Sequence, residues 1–120
     1  MEQPTTKKTI VQKLRKPVED QFATAEKYYS LLSALNGLKL TQREIQLVAF
    51  TAIRGNISYA NIRQEFCEKY DSTAPTINNI ISKLKKLGVF VKDGTKVKVN
   101  PLIILNFEND IVLQITLSHG

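Results

Sequence analysis

The sequence of 120 residues contains few of the residue types that build covalent or metal centres. Cys67 is its only cysteine and His119 its only histidine, and it has no tryptophan. A lone cysteine excludes a disulfide within one chain, and the pair provides too few ligands for a zinc knuckle. A cysteine–histidine catalytic pair of the usual kind would also lack the further residues that complete such a site. We therefore expect a protein that holds no metal or other cofactor.

Long apolar runs and phosphate-binding loops are also missing. No run approaches the roughly 18 apolar residues that cross a bilayer, and residues 1–16 lack the apolar centre of a secretory signal. The five glycines form no phosphate-cradling loop, and we expect no catalysis. With 42% hydrophobic residues, the chain is expected to build one core. The expected location is the cytoplasm, or a virion if the chain is a particle component, with no membrane partner.

The positive charge is concentrated in two segments. The net charge of the whole chain is +6. Residues 72–100 contain six lysines and one acid, Asp93, for a net +5, and residues 1–16 contain five basic residues and Glu2, for a net +4. The remaining residues are therefore net negative. This polarised distribution favours an anionic partner.

Four helices are expected. The first runs from about Pro17 to Leu35 and ends at Asn36-Gly37, with an apolar stripe spaced in steps of four and three. The stripe consists of Val18, Phe22, Ala25, Tyr29 and Leu32. It has no evident partner in a three-helix core, so we expect it either to pack on its own domain or to pair with another copy.

Capping signals delimit the other three helices. Thr41 and Glu44 form a capping box at the start of the second helix, which Gly55-Asn56 ends. We expect Ser58 to cap the third helix, and Asp71-Ser72-Thr73 to supply a turn and the cap of the fourth, which stops at Gly88. The expected apolar faces are Ile45, Val48, Ala49, Ala52 and Ile53 in the second helix, Ile62, Phe66 and Tyr70 in the third, and Ile77, Ile80 or Ile81, Leu84 and Leu87 in the fourth.

The apolar period changes to two after Gly88. Val89–Val91 and Lys96–Val99 flank Asp93-Gly94, which is a strong hairpin signal. A second hairpin is expected over Leu102–Leu117, around Asn109-Asp110. Ile10–Leu14 is either a strand or part of a flexible arm. The expected fold is therefore α+β, with a basic arm over 1–16, a helix over 17–37, a winged-helix domain over 38–100 and a β-hairpin tail over 101–120.

The segment from Pro75 to Val91 resembles the recognition helix and first wing strand of MarR-type and related winged-helix proteins. Similar features are a threonine–apolar pair, a polar pair, basic residues and a glycine before an apolar strand. The resemblance spans about Leu40 to Val99 and implies DNA binding. The family's Asp-x-Arg wing element is absent, and its dimerisation helix is replaced by a β-rich tail. Asn100-Pro101 resembles the Asn-Pro that follows the wing in small phage and plasmid replication or regulatory proteins.

Candidate DNA contacts come mainly from the fourth helix and the hairpin. An exposed asparagine can bond adenine N6 and N7 in the major groove, so Asn78 and Asn79 are the candidates for base reading. Thr76 is a candidate for a thymine methyl or a phosphate. The other candidate contacts, of which the basic residues would meet phosphates, are Thr73, Lys83, Lys86, Lys92, Lys96, Lys98 and Arg43. On the hairpin, we expect the lysines on an outer face and Val97 and Val99 on the core face. The alternative is that these polar residues are only a solvated helix face and an edge protected by lysines.

Two functions remain open from the sequence. The first is a duplex DNA-binding protein, a transcription regulator or replication-associated factor. The second is a non-enzymatic assembly module that docks protein, because Leu102–Leu105 and Ile111–Leu113 are apolar at every position. For the second, we expect Val18–Leu35 and Leu102–Leu117 to form a platform for self-association or for a protein partner.

Overall fold

A computed structural model describes residues 16–105 and 107–108 of the chain. This part is α+β, with four helices, one two-stranded antiparallel hairpin and a short 3-10 turn over Pro101–Ile103. The helices and strands are α1 (Val18–Leu35), α2 (Gln42–Arg54), α3 (Ala60–Tyr70), α4 (Ala74–Lys86), β1 (Phe90–Asp93) and β2 (Lys96–Val99).

The predicted caps of α2 and α4 are confirmed. The Thr41 hydroxyl accepts from the Glu44 N–H at 3.2 Å, and the Glu44 carboxylate accepts from the Thr41 N–H at 2.8 Å. The Thr73 hydroxyl accepts from the backbone N–H of Thr76 at the start of α4. Gly55 takes a left-handed conformation after α2, as expected for a glycine that ends a helix.

The prediction that Ser58 caps α3 is wrong. Tyr59 precedes the first helical residue and provides no side-chain cap. Ser58 is instead held by β2, because its hydroxyl accepts from the Val97 N–H at 2.6 Å. The Ile57 N–H donates to the Val97 carbonyl at 3.0 Å. The link between α2 and α3 is therefore attached to the outer edge of the hairpin, a long-range contact that local spacing does not reveal.

The hairpin is confirmed, but its turn differs from the predicted Asp-Gly turn. Asp93 is the last residue of β1 and pairs with Lys96, so the loop is only Gly94-Thr95. Gly94 has φ +63, and Thr95 is not among the residues with positive φ. A two-residue loop with positive φ at its first residue alone matches the type II′ turn, which favours glycine at that position.

Aromatic side chains form the centre of the core. Phe22 of α1 stacks on Phe50 of α2 with ring centroids 5.6 Å apart, and Phe66 of α3 meets Phe50 edge-on at 5.3 Å. In α2, Ile45, Val48 and Ala49 of the predicted face are buried and Ala52 and Ile53 are half-buried, while Leu47 and Phe50 are buried in addition. In α4 both Ile80 and Ile81 are buried. Leu87 was expected in the core but is 41% exposed, because the helix ends there.

The stripe of α1 has its partner within the chain. Phe22, Ala25 and Tyr29 are buried, and α1 packs along α2. Of the two expectations for this stripe, packing on its own domain is therefore the one observed. Val18 at one end of the stripe is exposed, and Ser33 is buried near the other end.

The tail folds back onto α1. Residues expected to form a strand from Leu102 instead begin with the 3-10 turn, and Leu102 is 89% exposed. The Tyr29 hydroxyl donates to the Ile103 carbonyl at 2.8 Å. Phe107 is buried, with its ring 5.7 Å from that of Tyr29. The strand predicted over Leu102–Glu108 is therefore wrong. Its proposed partner at Ile111–Leu117 lies outside the described residues, as do Ile10–Leu14 and the rest of the basic arm up to residue 15.

Candidate nucleic-acid interface

The exposed face of α4 is a stripe of polar residues. Ile77, Ile80, Ile81 and Leu84 point into the core. With about 3.6 residues per turn, the residues opposite them are Pro75, Asn79, Ser82 and Lys86. All four are exposed. Asn79 and Lys86, two of the predicted site residues, therefore lie on one stripe, and Ser82 between them was not predicted.

Asn78 lies on the flank of α4 that faces α3. Its Oδ1 accepts a hydrogen bond from Arg63 Nη1 of α3 at 2.7 Å. The same guanidinium donates from Nε to the Ile57 carbonyl at 2.8 Å. Lys85 lies two turns further along this flank and is exposed. Arg63 was not expected at the site, because the approach of α3 to α4 is a tertiary contact.

Lys83 lies on the opposite flank of α4, which faces α2. Its ammonium is 2.9 Å from the Glu44 carboxylate, which is almost fully buried. Burial alone would raise the pKa of Glu44, but hydrogen bonds from the Thr41 N–H and from Lys83 outweigh it and hold this pKa below its ordinary value. Lys83 is therefore occupied by an internal ion pair. Thr76 shares this flank, and its hydroxyl lies 2.9 Å from that of Thr73 at the start of the helix.

The three hairpin lysines do not share one face. Cross-strand partners lie on the same side of a sheet, and Lys92 pairs with Val97, which is buried. Lys92 is thus on the core side of the hairpin, and it is exposed near the turn. Lys96 and Lys98 lie on the other side. The prediction of one outer basic face is therefore wrong for Lys92, because the position of the turn sets the register.

Two of the basic residues predicted to contact DNA have hydrogen-bonding or ion-pair partners within the fold. Lys98 is 3.3 Å from the Asp93 carboxylate, so its charge is partly compensated. Arg43 donates from Nη1 to the Tyr70 carbonyl at the end of α3. It is partly buried there, where it satisfies a helix end rather than joining the stripe of α4.

Five basic side chains on α3, α4 and the hairpin are not paired with an acidic side chain among the described residues. Within the described part of the chain, Lys85, Lys86, Lys92 and Lys96 have no ion-pair partner, and Arg63 bonds only neutral oxygens. We call these five residues the cationic group. α4 contains no acidic residue. The hairpin contributes one acid beside its lysines, Asp93, which pairs in register with Lys96 and is bonded to Lys98.

Comparisons with protein-family models, with curated proteins and with solved structures found no match for this chain.

Among residues 16–105 and 107–108, no cluster of three or more histidine, cysteine or acidic side chains is placed to hold a metal ion. Across the same residues, every helix is too short or too polar to cross a membrane.

Proposed function

We propose that this chain is a winged-helix protein that binds duplex DNA. In this proposal α2, α3 and α4 are the three helices of the winged helix, and β1 and β2 form its wing. The attachment of Ile57 to Val97 supports it, because it joins the segment between the first two of these helices to the edge of the hairpin. α1 is an additional helix that enlarges the core.

The observation that carries the proposal is the combination of the outward stripe of α4 with the cationic group. The major groove of B-DNA admits an α-helix, and its base edges are read by hydrogen-bonding side chains, among them asparagine and serine. Asn79 and Ser82 meet this requirement at the centre of the stripe. Lys85 and Lys86 at the end of α4 and Lys92 and Lys96 near the wing turn would meet phosphates on either side of the groove.

The residues of the stripe and the cationic group have different roles from those that support α4. Asn79 reads a base, Ser82 contacts a base or a sugar–phosphate oxygen, and the lysines hold the backbone. Arg43, Lys83 and Thr73 stabilise the fold that presents α4. The biological role that fits is a transcription regulator or a replication-associated factor.

The first test is binding of the full chain to a fluorescent random-sequence duplex at low salt. The variant Lys85→Ala/Lys86→Ala/Lys96→Ala should bind at least tenfold more weakly, since each lost phosphate contact weakens binding to every sequence. Its matched control is Lys16→Ala/Lys27→Ala/Lys39→Ala, which removes equal charge from residues outside the cationic group. Equal weakening by both triple variants would show that only net charge matters and would contradict the proposed surface.

A second candidate function is protein docking in an assembly. The observation that favours it is a series of exposed apolar residues after α4: Leu87, Leu102, Ile104 and Leu105. A contiguous exposed apolar patch is characteristic of an interaction surface, and three of these four residues lie within Leu102–Leu105. If this is the function, the chain would not bind duplex DNA at low salt, and Leu102→Ser would abolish association with a partner without lowering stability.

A further inference from the structure

Arg63 and Asn78 form a contact whose chemistry distinguishes the two adjacent asparagines of α4. Arg63 Nη1 lies 2.7 Å from Asn78 Oδ1, whereas Asn79 has no side-chain partner among the described residues. We propose that Arg63 is a positioning residue that makes Asn78 present only N–H donors to DNA. Asn78 then selects guanine, while Asn79 remains free to select adenine. This inference rests on the proposed DNA-binding function and deepens it.

The orientation of the Asn78 amide follows from the chemistry of its partner. A guanidinium has five N–H donors and no acceptor, so the Asn78 atom that faces it must be the oxygen. Arg63 is itself fixed, because its Nε donates to the Ile57 carbonyl at 2.8 Å. A planar guanidinium bonded at two of its nitrogens has little freedom to rotate. The Asn78 Oδ1 is therefore directed towards α3, and the Nδ2 amino group lies at the other end of the amide.

This orientation decides which base edge Asn78 fits. An asparagine that reads adenine must donate to N7 and also accept from the N6 amino group. With Oδ1 directed at Arg63, the amino group of Asn78 would face the N6 amino group of adenine. Both groups are donors, so they cannot form a hydrogen bond with each other. Guanine presents two acceptors, O6 and N7, side by side in the major groove. An Asn78 that offers only donors therefore matches guanine.

Asn79 provides the internal contrast. It is exposed on the outward stripe of α4, and no neighbouring side chain fixes its amide. Both of its amide atoms are available, so it can form the paired hydrogen bonds that adenine requires. Two identical side chains at consecutive positions would thus read different bases, and the difference comes from one residue on another helix.

The test is selection of binding sites from a randomised duplex pool by the full chain and by Arg63→Met. The expected wild-type site contains one guanine that depends on Asn78 and one adenine that depends on Asn79. In Arg63→Met the amide of Asn78 can reverse, and the guanine position should change by about tenfold in favour of adenine. The adenine position should not change. Arg63→Lys keeps the charge without the planar fork, and its preference should fall between the two.

Controls separate this effect from loss of charge or of folding. Arg54→Met makes the same substitution at an arginine of α2, which pairs with Glu65 at 2.5 Å. This variant should leave both base preferences intact. Asn78→Ala should abolish the guanine preference, and Arg63→Met added to it should change no base preference further. Circular dichroism establishes that each variant is folded.

The outcomes distinguish this inference from the function on which it rests. A wild-type chain that binds no duplex at low salt overturns both. Binding by the wild-type chain with an adenine preference at the Asn78 position overturns the inference alone. So does a guanine preference that persists unchanged in Arg63→Met.

Discussion

The Glu44 carboxylate joins the start of α2 to the last turn of α4 through Lys83. It accepts from the Thr41 N–H at 2.8 Å and lies 2.9 and 3.0 Å from the Lys83 ammonium. One nearly buried side chain therefore completes a helix cap and holds α4 against α2. Lys83 lies in the segment of highest positive charge, but its role here is to orient the helix that we propose to read DNA.

This pairing predicts a pH-dependent loss of stability in Glu44→Gln. The folded-state pKa of Glu44 lies below its ordinary value of 4.5, so the carboxylate stabilises the fold above that pH. The contribution is lost as the pH falls through the folded-state pKa. We expect Glu44→Gln to lower the free energy of unfolding by about 1 kcal/mol at pH 7 and by much less near pH 3. Urea denaturation at the two pH values measures both quantities.

Glu19→Gln is the matched control for that experiment. Glu19 pairs with Lys69 at 2.6 Å, but its side chain is 76% exposed, so solvent screens the interaction. We expect a change of about 0.5 kcal/mol or less at pH 7. A Glu44→Gln variant no less stable than Glu19→Gln, or equally destabilised at both pH values, would show that the Glu44 charge does not hold α4.

The tail should contribute to the stability of the core through Phe107. Its buried ring packs against Tyr28 and Tyr29, with centroid distances of 5.8 and 5.7 Å. Phe107→Ala should lower the free energy of unfolding by about 3 kcal/mol, whereas Leu102→Ala, at an exposed position, should change it by about 0.5 kcal/mol or less. Thermal and urea denaturation would measure both. Equal effects of the two substitutions would show that the tail does not pack on α1.

Arg43 offers a way to separate folding from DNA binding. Its bond to the Tyr70 carbonyl satisfies the end of α3, so Arg43→Met should lower stability by about 1 kcal/mol. Because Arg43 does not lie on the outward stripe of α4, the salt dependence of DNA binding should stay the same in the folded variant. A slope reduced as much as in Lys96→Ala would place Arg43 at a phosphate instead.

The sequence predicts local elements well and their mutual contacts poorly. Thr41-Gln42-Arg43-Glu44 is sufficient to place the start of α2, because a capping box is satisfied within four residues. The role of Arg63 could not be predicted, since it depends on how closely α3 approaches α4. Lys83 looked like a free cation for the same reason, because Glu44 is 39 residues away in the sequence.

The tail shows a second reason why a structure predicted from the sequence can be wrong. The apolar run from Leu102 to Leu105 fits a strand by composition, yet the turn over Pro101–Ile103 is initiated by Asn100, whose Oδ1 accepts from the Leu102 N–H at 3.0 Å. A side chain that bonds the backbone two residues ahead favours a turn over a strand. Phe107 then reaches the tyrosines of α1, a contact that an apolar pattern alone does not identify.

The central claim is tested most directly by the salt dependence of duplex binding by the wild-type chain and by Lys96→Ala, with Lys27→Ala as the charge-matched control. We expect about three to six phosphate contacts per subunit, each contributing a slope of roughly −0.9 to log K against log salt concentration. Lys96→Ala should reduce the magnitude of the slope by about 0.9, and Lys27→Ala should not change it. Absence of binding at low salt, or a slope that Lys96→Ala leaves unchanged, would contradict the account.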